Sequence, residues 1–196
     1  MNKTKSAHIE ELIEIDRFQY DPKKMILSEA DRISIAKGNV LNTKERRLSK
    51  LFDFICSESP NEFRKTLLED KSVIDIKHDG TYLLHKACKE ESADIVTFLL
   101  FSNADCTIPD SKGYYPQHYA SRAKSGLIMD IISVFGQDLN VKDAIGNTPL
   151  HYAVIKNRKN IVKMLMNHKV KILKNNNGLT PIDICGNDEI LKMMTN

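Results

Sequence analysis

The sequence contains no tryptophan and little glycine or proline, with 8 Gly and 6 Pro among its 196 residues. This scarcity excludes a collagen-like chain and a Gly/Pro-rich low-complexity chain. The charge is also nearly balanced, because 29 Lys and Arg residues stand against 26 Asp and Glu residues. An excess of three positive charges does not by itself indicate nucleic-acid binding. The remaining composition, 41% hydrophobic and 28% charged, is typical of a globular protein.

Long hydrophobic runs are absent as well. The longest apolar block, residues 95–101, is interrupted by Thr97, whereas a helix that spans a bilayer needs about 18 apolar residues. The basic start (Lys3 and Lys5) is followed by acidic residues, a pattern that fits neither a secretory signal nor a transit peptide. We therefore predict a protein without membrane insertion, located in the cytoplasm, the nucleus or both.

Catalytic and ligand-binding motifs are missing too. The sequence has no phosphate-binding glycine loop, no GxSxG, no HExxH and no kinase signature. The four cysteines (Cys56, Cys88, Cys106 and Cys185) are far apart and form no CxxC pair, so free thiols are expected in a chain without a secretory signal. We predict a non-enzymatic protein that carries no cofactor and no metal.

A repeat of about 33 residues organises most of the chain. Four glycines are separated by 33, 33 and 32 residues, and histidines and alanines keep the same period. An apolar block follows each motif at a fixed distance. The residues in register are Gly80, Gly113, Gly146 and Gly178; His85, His118 and His151; and Ala87, Ala120 and Ala153. A period of this length is typical of stacked repeat proteins, in which neighbouring repeats bury each other's apolar faces.

Residues 148–153, just after Gly146, read Thr-Pro-Leu-His-Tyr-Ala. This motif closely resembles the Thr-Pro-Leu-His-x-Ala signature of the ankyrin repeat. Residues 180–183, 115–118 and 83–85 keep parts of it. The resemblance covers residues 80–196, and a degenerate repeat with Phe63 and Leu67 in register extends it upstream.

The resemblance implies an all-α ankyrin solenoid, whose helix–turn–helix repeats are joined by β-hairpin-like turns, after an N-terminal helical extension. We expect the extension at residues 1–47 and the repeat domain at 48–196. The predicted repeats are 48–79, 80–112, 113–145, 146–177 and a truncated 178–196 that still holds two helices. Residues 1–47 are interpreted as a cap on the first repeat or, alternatively, as an accessory arm that binds a partner.

The repeat motif has a physical explanation at each position. Thr148 and Thr180 are predicted N-cap residues, and Pro149 occupies the first helical position, where a missing N–H costs nothing. The register histidines lie too far apart to share a zinc ion, since stacked helices are about 8–10 Å apart. We expect each ring instead to tie a helix start to the neighbouring hairpin backbone. Cys88 and Cys185 replace small residues and are expected to be buried.

The resemblance implies a non-catalytic module, monomeric on its own, that binds a protein through a concave face and its hairpin tips. Adaptors, assembly chaperones of the proteasome and inhibitors of the NF-κB type, including those of viruses or pathogens, are all compatible with it. The degradation signal of the cellular inhibitors is absent. An RNA- or ribosome-associated factor is the alternative, supported weakly by the basic isoelectric point and the Lys-rich ends. The basic run at residues 44–47 indicates a solvated helix or, alternatively, a nuclear localisation patch or a nucleic-acid contact.

The candidate contact residues lie at the tips and on the exposed side of the inner helices. Tyr and Arg are enriched among binding hot spots, which favours the middle repeats, although Tyr119 and Tyr152 would also fit as fillers of the groove between repeats. The predicted partner-binding residues are His78, Asp79, Thr81, Lys89, Ser111, Lys112, Tyr114, Tyr119, Arg122, Ile145, Asn147, Tyr152, Lys156 and Leu179.

Overall fold

The structure is a computed structural model that describes residues 40–195. Over this range the chain forms α-helices joined by turns, and the only bridge between extended residues in it pairs His78 with Thr81. The predicted all-α class is confirmed. The helices are α1 (Val40–Cys56), α2 (Pro60–Glu69), α3 (Leu83–Lys89), α4 (Ala93–Phe101), α5 (Pro116–Arg122), α6 (Leu127–Val134), α7 (Pro149–Ile155), α8 (Lys159–Asn167) and α9 (Asp188–Thr195), with a 3₁₀ turn at Lys71–Val73.

The helices stack in two layers. The short helices that open the repeats pack on one another, α3 on α5 and α5 on α7, and the second helices do the same, α2 on α4 and α4 on α6. We call the first set the inner helices. Pro116 and Pro149 begin α5 and α7, as their position in the motif predicts. The predicted solenoid of helix pairs is confirmed.

The core runs along the seam between the two layers. Ala87, Ala120 and Ala153 are completely buried on the inner helices, and their small side chains let the helices approach closely. Phe63 and Leu67 on α2 are also completely buried, so the degenerate first repeat contributes to the same core. Each such large apolar side chain stabilises the fold by about 1.5–3 kcal/mol relative to exposure.

The last repeat differs from its prediction. Two helices were expected after Gly178, but residues 181–184 form only a turn, and α9 is the single helix there. The other inner helices have seven residues, while here Gly186 and Asn187 follow Pro181 too soon for a second helical turn to form. The expectation of an inner helix in this repeat is wrong.

At the other end, α1 begins at Val40 and runs without interruption to Cys56. The predicted boundary between residues 47 and 48 therefore falls inside a helix. The elements predicted for residues 1–39 lie outside the described residues.

Candidate functional site

The tips that join the repeats are built by an acidic or amide side chain. In the second tip the Asp110 carboxylate accepts hydrogen bonds from the backbone N–H groups of Lys112 and Tyr114, both at 2.9 Å. Asp143 does the same for Ile145 and Asn147 at 3.0 and 2.9 Å. Such bonds from a side chain to the backbone two residues later hold a turn in one shape. The tips are therefore rigid supports for the side chains they carry.

Asn175 repeats this arrangement in the fourth tip, where its side-chain oxygen accepts from the backbone N–H groups of Asn177 and Leu179, both at 3.0 Å. The first tip has Lys77 at the equivalent position and is closed differently. There His78 and Thr81 exchange two backbone hydrogen bonds, at 2.8 and 3.0 Å. Asp79 and Gly80 between them both have positive φ, +47° and +82°, as in a tight two-residue hairpin turn.

The three register histidines connect neighbouring repeats. Nε2 of His85, His118 and His151 lies 3.0, 3.0 and 3.1 Å from the backbone oxygens of Tyr114, Asn147 and Leu179. Because that oxygen only accepts, Nε2 carries the proton. The prediction that each ring ties a helix start to the next tip is confirmed. Burial lowers the pKa of all three imidazoles, for His85 to about 4.

The same aspartates also hold the tyrosines of the inner helices. The hydroxyls of Tyr119 and Tyr152 donate to the second carboxylate oxygens of Asp110 and Asp143, each at 2.6 Å. Burial and this hydrogen bond raise the pKa of both phenols. Each aspartate thus fixes a tip and an inner helix of one repeat together.

A cluster of aromatic rings and one cation lies where repeats three and four meet. Ring centroids of Tyr114 lie 5.7 Å from those of Tyr119 and of Tyr152, both edge to face. The guanidinium of Arg122 sits 5.9 Å from the Tyr114 centroid and 5.7 Å from that of Tyr152, a range in which a cation is attracted to an aromatic ring. We call these four residues the Tyr–Arg cluster.

A cavity of about 470 Å³ lies beside the cluster, between α1, α3 and the first two tips. Phe52 and Cys56 contribute to it from α1. Seven of the predicted contact residues line this cavity, namely His78, Asp79, Thr81, Lys89, Ser111, Lys112 and Tyr119. The structure thus brings together half of the predicted set in a concave space, and Tyr119 links the cavity to the Tyr–Arg cluster.

Two of the predicted residues do not face outward. Asn147 is only 6% exposed, because its side-chain oxygen accepts from Asn175 at 2.9 Å in the next tip. Tyr152 is 7% exposed and fills the space between repeats. The expectation that Asn147 points away from the stack is wrong, and for Tyr152 the alternative interpretation, a side chain that fills the groove between repeats, is the one that the structure supports. By contrast Ile145 and Leu179 are 55% and 41% exposed, and Lys156 is exposed.

Three features of this surface were not predicted. Asp110 and Asp143 organise the tips and the tyrosines, and their 33-residue spacing was a signal for that role. Phe52 lines the cavity from a helix that has lost the repeat signature. Ile155 is 52% exposed on α7, and it occupies the same register position as Lys89 and Arg122.

All four cysteines carry free thiols. Cys88 is completely buried, as predicted, and burial raises the pKa of its thiol. Burial likewise raises the pKa of Cys106 to about 12, so neither thiol ionises near neutral pH. Cys185 is only half-buried, which corrects the expectation of full burial, because the turn at residues 181–184 replaces the helix that would have enclosed it.

The basic run at residues 44–47 is not simply a solvated face. A guanidinium nitrogen of Arg47 donates to the Asp70 carboxylate at 3.1 Å, and the same side chain lies 3.8 Å from Glu69. Arg47 therefore joins α1 to the end of α2. This contact corrects the interpretation of the whole run as solvated.

Over residues 40–195 no group of three or more His, Cys, Asp or Glu side chains is arranged to hold a metal ion. None of the helices described above is long and apolar enough to cross a membrane. What the arrangement offers chemically is a rigid surface with exposed cations, aromatic rings and a few exposed aliphatic side chains.

Comparison with known families agrees with this architecture. Residues 117–196 match a family model described as ankyrin repeats in three copies, and residues 79–111 match a model of a single ankyrin repeat. Together the two matches cover more than half of the chain. No curated protein matches the chain significantly.

Proposed function

The chain belongs to the ankyrin-repeat family, and we propose on that premise that it binds a protein partner through the face formed by its inner helices and tips. We call this surface the inner face. Ankyrin repeats are generally protein–protein interaction modules and are typically non-catalytic. Fold alone does not give function, so the proposal depends on the side chains that this face presents.

The observation that carries the proposal is the Tyr–Arg cluster beside exposed aliphatic side chains. Arg122 is held over two tyrosine rings, and the tyrosine hydroxyls of the inner helices are tied to aspartates. A side chain that is already ordered loses little entropy when a partner arrives. Ile145 and Leu179 are exposed to water at the neighbouring tips, where their burial by a partner would be favourable.

The register histidines and the two buried thiols support a binding role rather than a catalytic one. The register histidines use Nε2 for structural hydrogen bonds, and the buried thiols of Cys88 and Cys106 have raised pKa values. Neither group is available as a general base or nucleophile. Within the binding class, we propose an adaptor, inhibitor or assembly chaperone that acts in the cytoplasm or the nucleus.

The experiment compares two triple variants of equal charge change. Arg122→Gln, Lys156→Gln and Ile145→Ser alter the inner face, while Lys65→Gln, Lys163→Gln and Leu127→Ser alter exposed outer positions. Tyr119 and Tyr152 stay unchanged, because each holds an aspartate and its loss would weaken the fold. Crosslinked capture from the native cell extract followed by mass spectrometry is the measurement.

We expect one dominant protein partner with the wild type and the outer variant, and its loss with the inner variant. Thermal unfolding of both variants should stay close to that of the wild type. Retention of the partner by the inner variant and loss by the outer variant would contradict the proposal. Recovery of ribosomal proteins and RNA in place of a dominant partner would favour the RNA-associated alternative.

A further inference from the structure

The inner face carries cations without matching anions. Lys89 and Lys112 are exposed beside the cavity, Arg122 belongs to the Tyr–Arg cluster, and Lys156 follows α7 directly. None of these four pairs with a carboxylate of residues 43–195. Two other cations in that range do form ion pairs, Lys86 with Glu90 at 2.8 Å and Arg47 with Asp70 at 3.1 Å.

The acidic groups near these cations are mostly engaged. Asp110 and Asp143 accept bonds from backbone N–H groups and from tyrosine hydroxyls, and both are at most 7% exposed. Glu90 is bonded to Lys86. Asp53 and Asp79 remain exposed and line the same cavity as Lys89 and Lys112, and the Asp79 carboxylate lies 3.7 Å from Nε2 of His78. The exposed charge of repeats two to four is therefore positive.

Arg122 is prepared to bind a carboxylate. The rings of Tyr114 and Tyr152 attract its guanidinium, and its edge N–H groups have no carboxylate partner among residues 43–195. A guanidinium edge matches the two oxygens of a carboxylate in a bidentate pair. The backbone oxygen of Arg122 also accepts from Nε of Arg158 at 3.2 Å, which anchors the end of α5.

The side chains that the inner face presents change from cationic to aliphatic along the array. The register position of Lys89 in repeat two holds Arg122 in repeat three and Ile155 in repeat four. At the tips, Lys112 is followed one repeat later by Ile145. Ile145 and Ile155 are 55% and 52% exposed. A ligand that crosses the inner helices would thus meet cations first and aliphatic side chains about 10 Å further on, the distance between packed helices.

We propose that the partner presents an extended acidic peptide, with Asp or Glu over Lys89 and Arg122 and an aliphatic residue over repeat four. This inference rests on the proposed function and names the partner chemistry of the same face. An extended chain advances about 3.3 Å per residue, so the acidic and the aliphatic residue are separated by about three positions.

A protein segment fits this face better than single-stranded RNA. Bases stack on aromatic rings whose faces are free, but the Tyr114 ring has Tyr119, Tyr152 and Arg122 as close neighbours. The phenolic hydroxyls of Tyr119 and Tyr152 are bound to aspartates. The Tyr–Arg cluster therefore offers a guanidinium edge rather than a stacking platform.

The test is selection from a random library of displayed twelve-residue peptides on the wild-type chain, followed by fluorescence anisotropy with the enriched peptides. The matched variants are Lys89→Gln with Arg122→Gln on the inner face, and Lys65→Gln with Lys163→Gln on the outer helices. A fluorescein-labelled twenty-nucleotide poly(U) RNA serves as the competing class of ligand.

We expect the enriched peptides to contain two or more acidic residues and an aliphatic residue about three positions away. Their affinity should fall about tenfold or more with the inner double variant, because charge-assisted hydrogen bonds are lost. It should change less than twofold with the outer one. Replacing Asp and Glu by Asn and Gln in the peptide should reproduce the loss, and added salt should weaken binding.

Enriched peptides that lack acidic residues but still lose affinity with the inner variant would overturn the acidic inference and leave the proposed function standing. Enriched peptides whose affinity is unchanged by the inner variant would count against both the acidic inference and the proposed function. A library that yields no binding peptide would also count against both. The inference would also be overturned if the poly(U) RNA bound more tightly than the enriched peptides and the inner double variant weakened that binding.

Discussion

Repeats in the middle of the array and repeats at its beginning are connected by different polar contacts. In repeat four, Nδ1 of His151 accepts from the Thr148 backbone N–H at 3.0 Å while Nε2 reaches the next tip. In repeat two, Nε2 of His85 reaches the next tip in the same way. Its Nδ1 is buried without a hydrogen-bond partner among the described residues, whereas Nδ1 of His118 in repeat three accepts from the Tyr115 backbone N–H at 3.0 Å.

The tips show the same contrast. Asp143 in the middle of the array accepts two backbone N–H bonds and a tyrosine hydroxyl, whereas the first tip has Lys77 at that position and relies on two backbone bonds between His78 and Thr81. Both regions nonetheless have completely buried apolar side chains. The comparison teaches that core packing maintains the stack, while the consensus polar residues add rigidity where they are present.

The largest expected effect on stability comes from replacing glycines by alanine at two tips, where the backbone conformation is the same but the neighbouring atoms differ. Gly146 and Gly178 have φ of +78° and +77°. A Cβ at Gly146 would lie 2.3 Å from the Asn176 side-chain oxygen and 2.7 Å from its backbone nitrogen, whereas a Cβ at Gly178 would meet nothing within 4 Å. We expect Gly146→Ala to cost about 3 kcal/mol of unfolding free energy and Gly178→Ala about 1 kcal/mol.

Urea denaturation of the two alanine variants measures this difference directly. Equal losses would mean that the neighbouring tip moves aside without cost, and the contrast between the middle of the array and its last tip would then disappear.

The next effect is a dependence of stability on pH that is strongest at the beginning of the array. Burial lowers the pKa of His85 from 6.5 to about 4. As the pH falls below 6.5 the unfolded chain takes up a proton that the folded chain does not bind until about pH 4, so the folded state loses stability over this range. Between pH 7 and 5 this amounts to about 2 kcal/mol.

Thermal unfolding between pH 7 and 5 checks this, with His85→Gln as the variant and the exposed His168→Gln as its control. The pH dependence should shrink in the first variant and persist in the second. If the pH dependence of stability were unchanged in His85→Gln, groups other than His85 would be its cause.

The smallest effect is the difference between two equivalent histidines. His151→Ala removes hydrogen bonds from both ring nitrogens, and we expect it to lower the unfolding free energy by about 2 kcal/mol. His85→Ala removes the Nε2 hydrogen bond but also removes a buried nitrogen that has no partner, so we expect a loss of only about 1 kcal/mol. Chemical denaturation at pH 7.5, where both rings are neutral in either state, measures the pair. A larger loss for His85→Ala would show that its buried nitrogen has a partner in solution.

The fold could be predicted from the sequence to a large extent because the repeated motif marks the same structural positions in each repeat. Pro149, His151 and Ala153 each have a local physical reason for their position, and the period aligns the weaker repeats with the strong one. The last repeat could not be predicted fully. Its inner helix is missing because Gly186 follows Pro181 too closely, which the alignment of motifs alone did not reveal.

The candidate site was predictable only in part. Lys112 and Ile145 are exposed at the tips as the repeat pattern predicts. Asn147 occupies the register position of Tyr114 and yet is buried, because Asn175 of the next tip bonds to its side chain. Contacts between residues about 30 positions apart determine such exposure, and a pattern within one repeat does not contain them.

The sequence by itself determined the repeat period, the starts of the inner helices in repeats two to four and the glycines with positive φ, since these follow from local backbone preferences and apolar spacing. Only the tertiary structure decided which copies of a repeated residue are buried. Tyr119 is half-buried and Tyr152 is 7% exposed, although both donate to an equivalent aspartate. The physical reason is that exposure depends on the side chains of the adjoining repeat, which differ from one interface to the next.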